Sequence, residues 1–509
     1  MALMGLNTFM LYTEDTYEIE GRPYFGHMRG RYTKNEIKEM DAYALDLGIE
    51  LIPCIQMLGH LETHLKWDAA EKYKDTDRIL LAGSEETYKL IEDMLKTVKE
   101  CFTTDKIHIG MDETHDLGRG RYLDKNGYKL HREIYLEHLA KIVKMVKSYG
   151  FKPMMWSDMF FGMARLRGEG LDDYEGESEL LSEISKLIPD GVQQVFWDYY
   201  HKEEEFYAKN IERHKLLGEN MMFAGGVWAW GGHSIHFSRS LRNTVPALEA
   251  CRKGGVKEVI ATVWHNGAEA CQILALAGLA WYADYDYKGA FDETSVAECF
   301  RFSCGESYFD FLKTEANEYP HGGDVGISRM LLYNDPLLGL FDKHIEKFDT
   351  VSYYSDLKGK LAGLGGGFFT EAFGVSRALA DVLLNKANFG VRLKTAYDEG
   401  DRQALSALYE ECDVIIAKLE ILKTAHRAAW YKYSKPFGWE VHDVRYGGLI
   451  SRFETAKWTL GAYLDGRIDK IAELCEERLT FDGREQTAPD TRSFWWYRYG
   501  AVVTPGTLF

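Results

Sequence analysis

The chain has 509 residues, 46% of them hydrophobic, enough for one large domain and at least one more, or a barrel with a substantial appendage. Its formal net charge of −18 lacks the basic footprint that nucleic acid or an anionic membrane surface requires, and no stretch approaches the roughly 18 uninterrupted apolar residues of a membrane span. The cysteines (Cys54, Cys101, Cys251, Cys271, Cys299, Cys304, Cys412 and Cys475) form no CxxC pair, which predicts reduced thiols and a cytoplasmic setting.

The opening segment MALMGLNTFM has neither a basic stretch nor a long apolar run, which predicts a chain without a secretory leader. From there, short β-like runs alternate with amphipathic helical patterns. The runs cover 6–12, 49–56, 106–113, 152–159, 192–199, 221–228 and 258–266, with helical patterns among them at 34–47, 85–101, 132–149 and 180–187. Such alternation predicts parallel strands joined by crossovers. The runs end in polar or aromatic residues, as the site-bearing face of a (β/α)8 barrel does; a doubly wound sheet would gather its chemistry at one crevice. Seven runs are present where a closed barrel needs eight, and the first begins almost at Met1. The sequence therefore predicts a (β/α)8-type barrel over 1–290 that lacks its first strand–helix unit and leaves two strand edges unpaired. Beyond residue 290 the strand signal fades. Helical periods at 375–396, 401–427 and 447–472 predict an all-helical C-terminal domain over 291–509, with the GLGGG of 363–367 as a turn.

The third run, KIHIGMDETHD (106–116), ends on the adjacent acids Asp112 and Glu113. Two carboxylates side by side in a partly dry site resist joint ionisation, and a protonated acid beside an ionised one is equipment for acid/base work on a glycoside, an acetal or an ester. A helix cap would need one acid and no approach strand. Five tryptophans, Trp156, Trp197, Trp228, Trp230 and Trp264, fall at or just beyond predicted strand ends. Flat aromatic walls suit a pyranose ring, and Asp158, Asp198, Tyr199, His265, Asn266 and Glu269 supply polar groups for its hydroxyls. The HLETH run (60–64) spaces His60 and His64 four apart but does not match H-E-x-x-H, and no third ligand is evident, so no metal is expected there. His233 and His236 read as loop histidines. There is no GxSxG elbow and no GxGxxG after a strand, which disfavours serine hydrolases and dinucleotide enzymes.

His108-Ile-Gly110-Met-Asp112-Glu113 resembles the HxGxDE signature of family 20 glycoside hydrolases, the β-N-acetylhexosaminidases, and the resemblance extends over most of 1–290. It implies an exo-acting enzyme with a (β/α)8 barrel and a substrate-assisted retaining mechanism, an exception to the two-carboxylate scheme. On that analogy Glu113 protonates the glycosidic oxygen and later activates water. Asp112 orients the substrate's 2-acetamido group, whose oxygen attacks the anomeric carbon to give an oxazolinium. The resemblance assigns His60, in Leu58-Gly59-His60, to support of Glu113, and Glu14 to a relay position where an aspartate is usual. It makes Trp156, Trp197 and Trp264 walls of the sugar pocket. Asn266 stands where a glutamate commonly binds outer hydroxyls, with Glu269 as an alternative supplier. Where the family has a tyrosine donor this chain has Trp228-Ala-Trp230, which leaves Tyr199 as the replacement candidate. The family's first strand carries a sugar-binding arginine, usually behind an additional N-terminal α/β domain; this chain begins where the second strand does. The implied substrate is a small oligosaccharide with a terminal N-acetylhexosamine, gluco- or galacto-configured, handled inside a bacterial cell without cofactor or metal. The oligomeric state stays open, a homo-oligomer included. Two other readings remain: a retaining glycosidase with Asp158 or Asp198 as nucleophile, and a truncated, inactive sugar-binding remnant.

Overall fold

A computed structural model of the chain describes residues 1–164, 174, 176–218, 220–267, 269–318, 326–481 and 483. Within it the chain divides into two compact units. The first comprises Met1–Gly226, Arg242–Thr262 and Tyr282–Asp292; the second comprises Val227–Leu241, Val263–Trp281 and Glu293–Phe509. Residues 484–509 of the expected C-terminal domain lie outside the described residues.

The first unit is built on seven parallel strands: β1 (Thr8–Tyr12), β2 (Glu50–Cys54), β3 (Lys106–His108), β4 (Lys152–Trp156), β5 (Gln193–Trp197), β6 (Met221–Gly226) and β7 (Glu258–Thr262). Each pairs with its sequence neighbours in the order β1 to β7, so every connection is a crossover, and all the expected strands are present. The crossover helices bury a stripe at three- and four-residue spacing. In His131–Ser148 it is Ile134, Tyr135, His138, Leu139, Ile142, Val143 and Val146. Helix Lys34–Asp46 starts in a capping box in which Thr33 and Glu36 satisfy each other's backbone N–H.

The sheet curls strongly. Lys106, the first residue of β3, reaches Glu50 of β2 at 3.1 Å and Glu258 of β7 at 3.5 Å. Gln193, at the start of β5, donates to the same Glu258. The lower ends of four strands thus meet around one lysine, as in a barrel. Among the described residues no strand joins β1 to β7. A cavity of about 760 Å³ lies there, lined among others by Leu6 and Thr8 of the β1 side, Val259 and Ile260 of β7, and Leu248 and Tyr285 from the following helices. The interior strand β6 is buried throughout, whereas β1 exposes Phe9 (43%) and β7 exposes Val259 (36%), the two edges of the described sheet. The expected barrel lacking one strand is what the fold displays.

The second unit is helical. Its longest helix, Arg402–Tyr433, packs against Thr370–Lys386 on one side and Trp439–Leu464 on the other. Its buried residues are Leu405, Leu408, Cys412, Ile415, Leu419, Leu422, His426 and Ala429, an alternating three–four spacing that makes a coiled-coil seam. Asp401 caps it, accepting from Gln403 and Ala404 at 3.0 Å. Among the described residues no helix is long and apolar enough to cross a membrane.

Candidate active site

The residues that end the first three strands leave β geometry abruptly. Among the described non-glycine residues only Glu14, Met28, His60, Met111 and Glu113 have left-handed φ, and four of those five belong to loops directly after β1, β2 and β3. Each such residue costs on the order of 1–3 kcal/mol, so the surroundings must hold it. They do. The Met111 N–H donates to Gln56 Oε1 at 3.2 Å, and its carbonyl accepts from the buried Tyr135 hydroxyl at 2.9 Å. The Glu113 N–H donates to Asp158 Oδ2 at 3.1 Å, and Arg78 reaches the Glu113 carbonyl at 3.5 Å. Gly110 is required twice over: its φ is +68°, and a Cβ would stand 2.5 Å from Gln56 Cδ. The expected strand through Glu113 therefore stops at His108, because the turn that presents the acids is made by tertiary partners.

The acid pair has a third member. His60 Nε2 lies 3.1 Å from Asp112 Oδ2 and 3.5 Å from Glu113 Oε2, between the two carboxylates and closer to Asp112 than the support of Glu113 alone would require. Burial disfavours a charged imidazole, but Asp112, by charge and hydrogen bond, and then Glu113 outweigh it and raise the His60 pKa to about 9. Burial likewise pushes the Asp112 carboxyl up; the charge and hydrogen bond of His60, with the bond from Gln56, turn the net shift downward. At neutral pH an imidazolium thus faces an ionised Asp112. Gln56 Nε2 donates to Asp112 Oδ1 at 3.0 Å and to the Tyr12 hydroxyl at 3.2 Å, which donates to Glu14 Oε1 at 3.2 Å. Burial raises the Glu14 pKa, offset in part by Arg29 at 3.6 Å. Glu113 is the open member, its side chain 44% exposed against 17% for Asp112.

The remaining expected residues fall into two groups. In the first unit Trp156 is buried with its ring 4.3 Å from that of His108, and Trp197 stacks on Tyr199 at 5.4 Å and 19°. Asp158 accepts the Glu113 N–H. Asp198 accepts from the N–H groups of Tyr200 and His201, from His201 Nδ1 and from the Tyr207 hydroxyl, so its carboxylate shapes its own loop and is not a free nucleophile. In the second unit Trp228 and Trp230 stack at 4.2 Å, Trp264 is half-buried and Asn266 is exposed. Glu269 departs from its expected role. It is buried, with one carboxylate oxygen paired to Arg329 and the other to Arg445 at 2.6 Å, and offers no free oxygen to a sugar. The two histidines of HLETH part company: His60 meets the acids, while His64 packs edge-on to Phe25 at 5.0 Å and over Tyr73 at 6.1 Å.

Residues 10–172 match the family model for the glycosyl hydrolase family 20 catalytic domain, and residues 308–493 match that for the glycoside hydrolase 20C C-terminal domain. The chain belongs to glycoside hydrolase family 20. Among curated proteins, this family 20 chain is 24% identical over 257 residues to Hexosaminidase D of Bos taurus (48% of this chain, 68% of that protein). It is 24% identical over 319 residues to Hexosaminidase D of Homo sapiens (58% and 62%) and 29% identical over 154 residues to the Beta-hexosaminidase of Vibrio furnissii (26% and 25%). It thus covers less than two thirds of the length of two of these three relatives. Among solved structures, the family 20 exo β-N-acetylglucosaminidase of Vibrio harveyi aligns at 15% identity and TM-score 0.41, over 62% of this chain and 54% of that one. The Flavobacterium johnsoniae chitobiase aligns at 15% identity and TM-score 0.44, over 93% and 70%.

Within this family 20 site, sequence reasoning gave no role to Gln56, Tyr12, Arg78 or Tyr135. Gln56 and Tyr12 stand at predicted strand ends, and Gln56 follows the strand adjacent to the one that leads to Asp112; that adjacency was the available signal. Arg78 sits in a loop with no pattern around it, 4.0 Å from Glu113 Oε2.

The His60–Asp112 pair predicts a pH signature. His60 is raised from 6.5 to about 9, so its contribution to stability is fully present below pH 6.5 and lost as pH rises through about 9. Asp112 is depressed from 3.8, so its contribution is present above 3.8 and lost as pH falls. The stability difference between the wild type and His60→Gln should therefore be largest near pH 4–6.5 and vanish above about 9 in thermal melts. A difference independent of pH would contradict the ion pair.

Proposed function

We propose that the chain is an exo-acting β-N-acetylhexosaminidase that removes terminal β-linked N-acetylglucosamine or N-acetylgalactosamine by substrate assistance. The observation that carries this reading is the division of labour in the acid pair. Asp112 is half-enclosed, fixed by His60 and Gln56 and held ionised; Glu113, its neighbour, is the exposed one. An ionised, oriented carboxylate suits the acetamido nitrogen, whose positive charge grows as its carbonyl oxygen attacks the anomeric carbon. The exposed Glu113 suits the glycosidic oxygen, to which it gives a proton as the aglycone leaves, and then the incoming water, from which it takes one. Water opens the oxazolinium at the anomeric carbon and restores the acetamido group, so the β configuration is retained.

Trp156, Trp197 and Tyr199 are the proposed contacts of the first unit to the sugar ring and its acetamido methyl; Trp264 and Asn266 are proposed, separately, as sugar contacts of the second unit. Glu14, through Tyr12 and Gln56, acts behind Asp112. We take 1–290 as the catalytic module and 291–509 as its helical companion. A protein nucleophile is disfavoured, because Asp198 is saturated by its own loop and Asp158 holds the Glu113 backbone. The test is inhibition. Hydrolysis of p-nitrophenyl N-acetyl-β-glucosaminide should be strongly and competitively inhibited by a thiazoline mimic of the oxazoline; full activity in its presence would sink the substrate-assisted route.

A further inference from the structure

Two loops of the second unit, one with Trp228 and Trp230 and one with Trp264 and Asn266, are both held from one short helix. Loop 228–236 is closed at its base by the His236 N–H on the Trp228 carbonyl at 2.8 Å, and Ser240 Oγ accepts the Trp228 N–H at 2.9 Å. Its tip is gripped by Glu318, a buried carboxylate whose Oε1 accepts the N–H groups of His233 at 2.8 Å and Ser234 at 3.1 Å. Glu318 is itself fixed by Ser328: the Ser328 N–H donates to Oε2 at 3.0 Å and its hydroxyl to Oε1 at 2.6 Å.

The neighbouring residue on that helix, Arg329, does the same for the other loop. Its side chain is 1% exposed, pairs with Glu269 and donates to the Asn266 carbonyl at 3.4 Å. Arg445 completes the grip, donating to the Gly267 carbonyl at 2.8 Å and to Glu269 at 2.6 Å. Each loop has a glycine where its charged anchor comes closest. A Cβ at Gly232 would stand 2.6 Å from Glu318 Cδ, and one at Gly267 (φ +87°) would stand 2.8 Å from Arg329 Cζ. The helix that carries Ser328 and Arg329, Ile327–Tyr333, is buried at every residue.

We propose that helix Ile327–Tyr333 is a brace for both loops, Ser328 acting through Glu318 on the Trp228–Trp230 loop and Arg329 acting through Glu269 on the Trp264–Asn266 loop, and that it thereby fixes the side chains these two loops offer to a sugar. These are positioning residues, and the consequence for affinity rests on the reading of the tryptophan loops as sugar walls. Buried carboxylates gripped by several donors tolerate little change in donor geometry, so an altered anchor releases its loop without touching the acid pair.

Two conservative variants test the brace. Glu318→Gln keeps shape but sets an amide N–H₂ against a backbone N–H donor; Arg445→Lys keeps charge but loses the fork on Glu269 and Gly267. Hydrogen–deuterium exchange should quicken at least tenfold in 228–236 for Glu318→Gln and in 264–270 for Arg445→Lys. Unchanged exchange in a folded variant overturns the brace whatever the substrate is. Because Arg445 is partly exposed, its variant carries the test if Glu318→Gln does not fold. For the sugar, KM on the aryl N-acetylglucosaminide and Kd for N-acetylglucosamine should both rise about tenfold in Arg445→Lys, with kcat within about threefold of the wild type. A fall in kcat at unchanged KM would contradict the positioning role. Loops that loosen while KM and Kd hold would overturn the sugar-wall part and leave the acid-pair chemistry standing.

Discussion

Glu113→Gln is expected to lower kcat by about 10⁴-fold on an oligosaccharide substrate and by less than about 10²-fold on a p-nitrophenyl glycoside, the span general acid catalysis covers. The asymmetry follows from the leaving group. A sugar alkoxide cannot depart without a proton, whereas p-nitrophenolate leaves unaided. On the proposed reading Glu113 is the donor: it is the more exposed member of the pair, and its backbone is fixed in the left-handed region by Asp158 and Arg78. The glutamine keeps the shape, and melting temperature should change little. Steady-state kinetics on the two substrates measure the contrast; equal losses on both would remove Glu113 from the acid role.

Asp112→Asn should behave differently, lowering kcat by about 10²–10³-fold on both substrates, the size of loss seen when one preorganised electrostatic contact to developing charge is removed. Its proposed role is to stabilise the internal nucleophile as the leaving group departs, a contribution that an activated leaving group does not replace. The same change strips His60 of its principal charge partner. The imidazole, held near pKa 9 chiefly by Asp112 against burial, should then titrate well below that value in a histidine NMR experiment. Kinetic loss without a shift in the His60 titration would mean that the pair in the structure is not the pair in solution.

The sheet was legible in the sequence because short β-like runs alternate with amphipathic helical stretches, and all seven runs contain strands. The end of the third was not. Met111 and Glu113 are held left-handed by Gln56, Tyr135 and Asp158, residues 24–55 positions away in sequence, and no local pattern reports such partners. The C-terminal helices were legible as a region and not in their bounds. The run expected at 375–396 is two helices, Thr370–Lys386 and Phe389–Asp398, and that expected at 447–472 is Trp439–Leu464, whose first buried residues, Trp439, His442 and Tyr446, disguise an apolar stripe as polar and aromatic sequence. In the candidate site, motif and chemistry named Asp112, Glu113 and His60, and the structure brings both acids within 3.5 Å of the His60 side chain. Glu269 misled because a lone acid near strand-end tryptophans looks like a sugar ligand, while the two arginines that bury it stand 60 and 176 residues further on.

Among the described residues no strand closes the ring between β1 and β7, yet both acids of the pair stand within 3.5 Å of His60. The lysine-centred junction of Glu50, Lys106 and Glu258 holds the curl at the lower end, and the turns that present Asp112 and Glu113 take partners from the segments after β2 and β4 and from helix His131–Ser148.

The central claim is that the substrate, and not a protein carboxylate, supplies the nucleophile. Comparing turnover of p-nitrophenyl N-acetyl-β-glucosaminide with that of the matching p-nitrophenyl β-glucoside tests it most directly, because the two differ at C2. Substrate assistance predicts rapid hydrolysis of the first and no hydrolysis of the second above background. Comparable rates on both would contradict it.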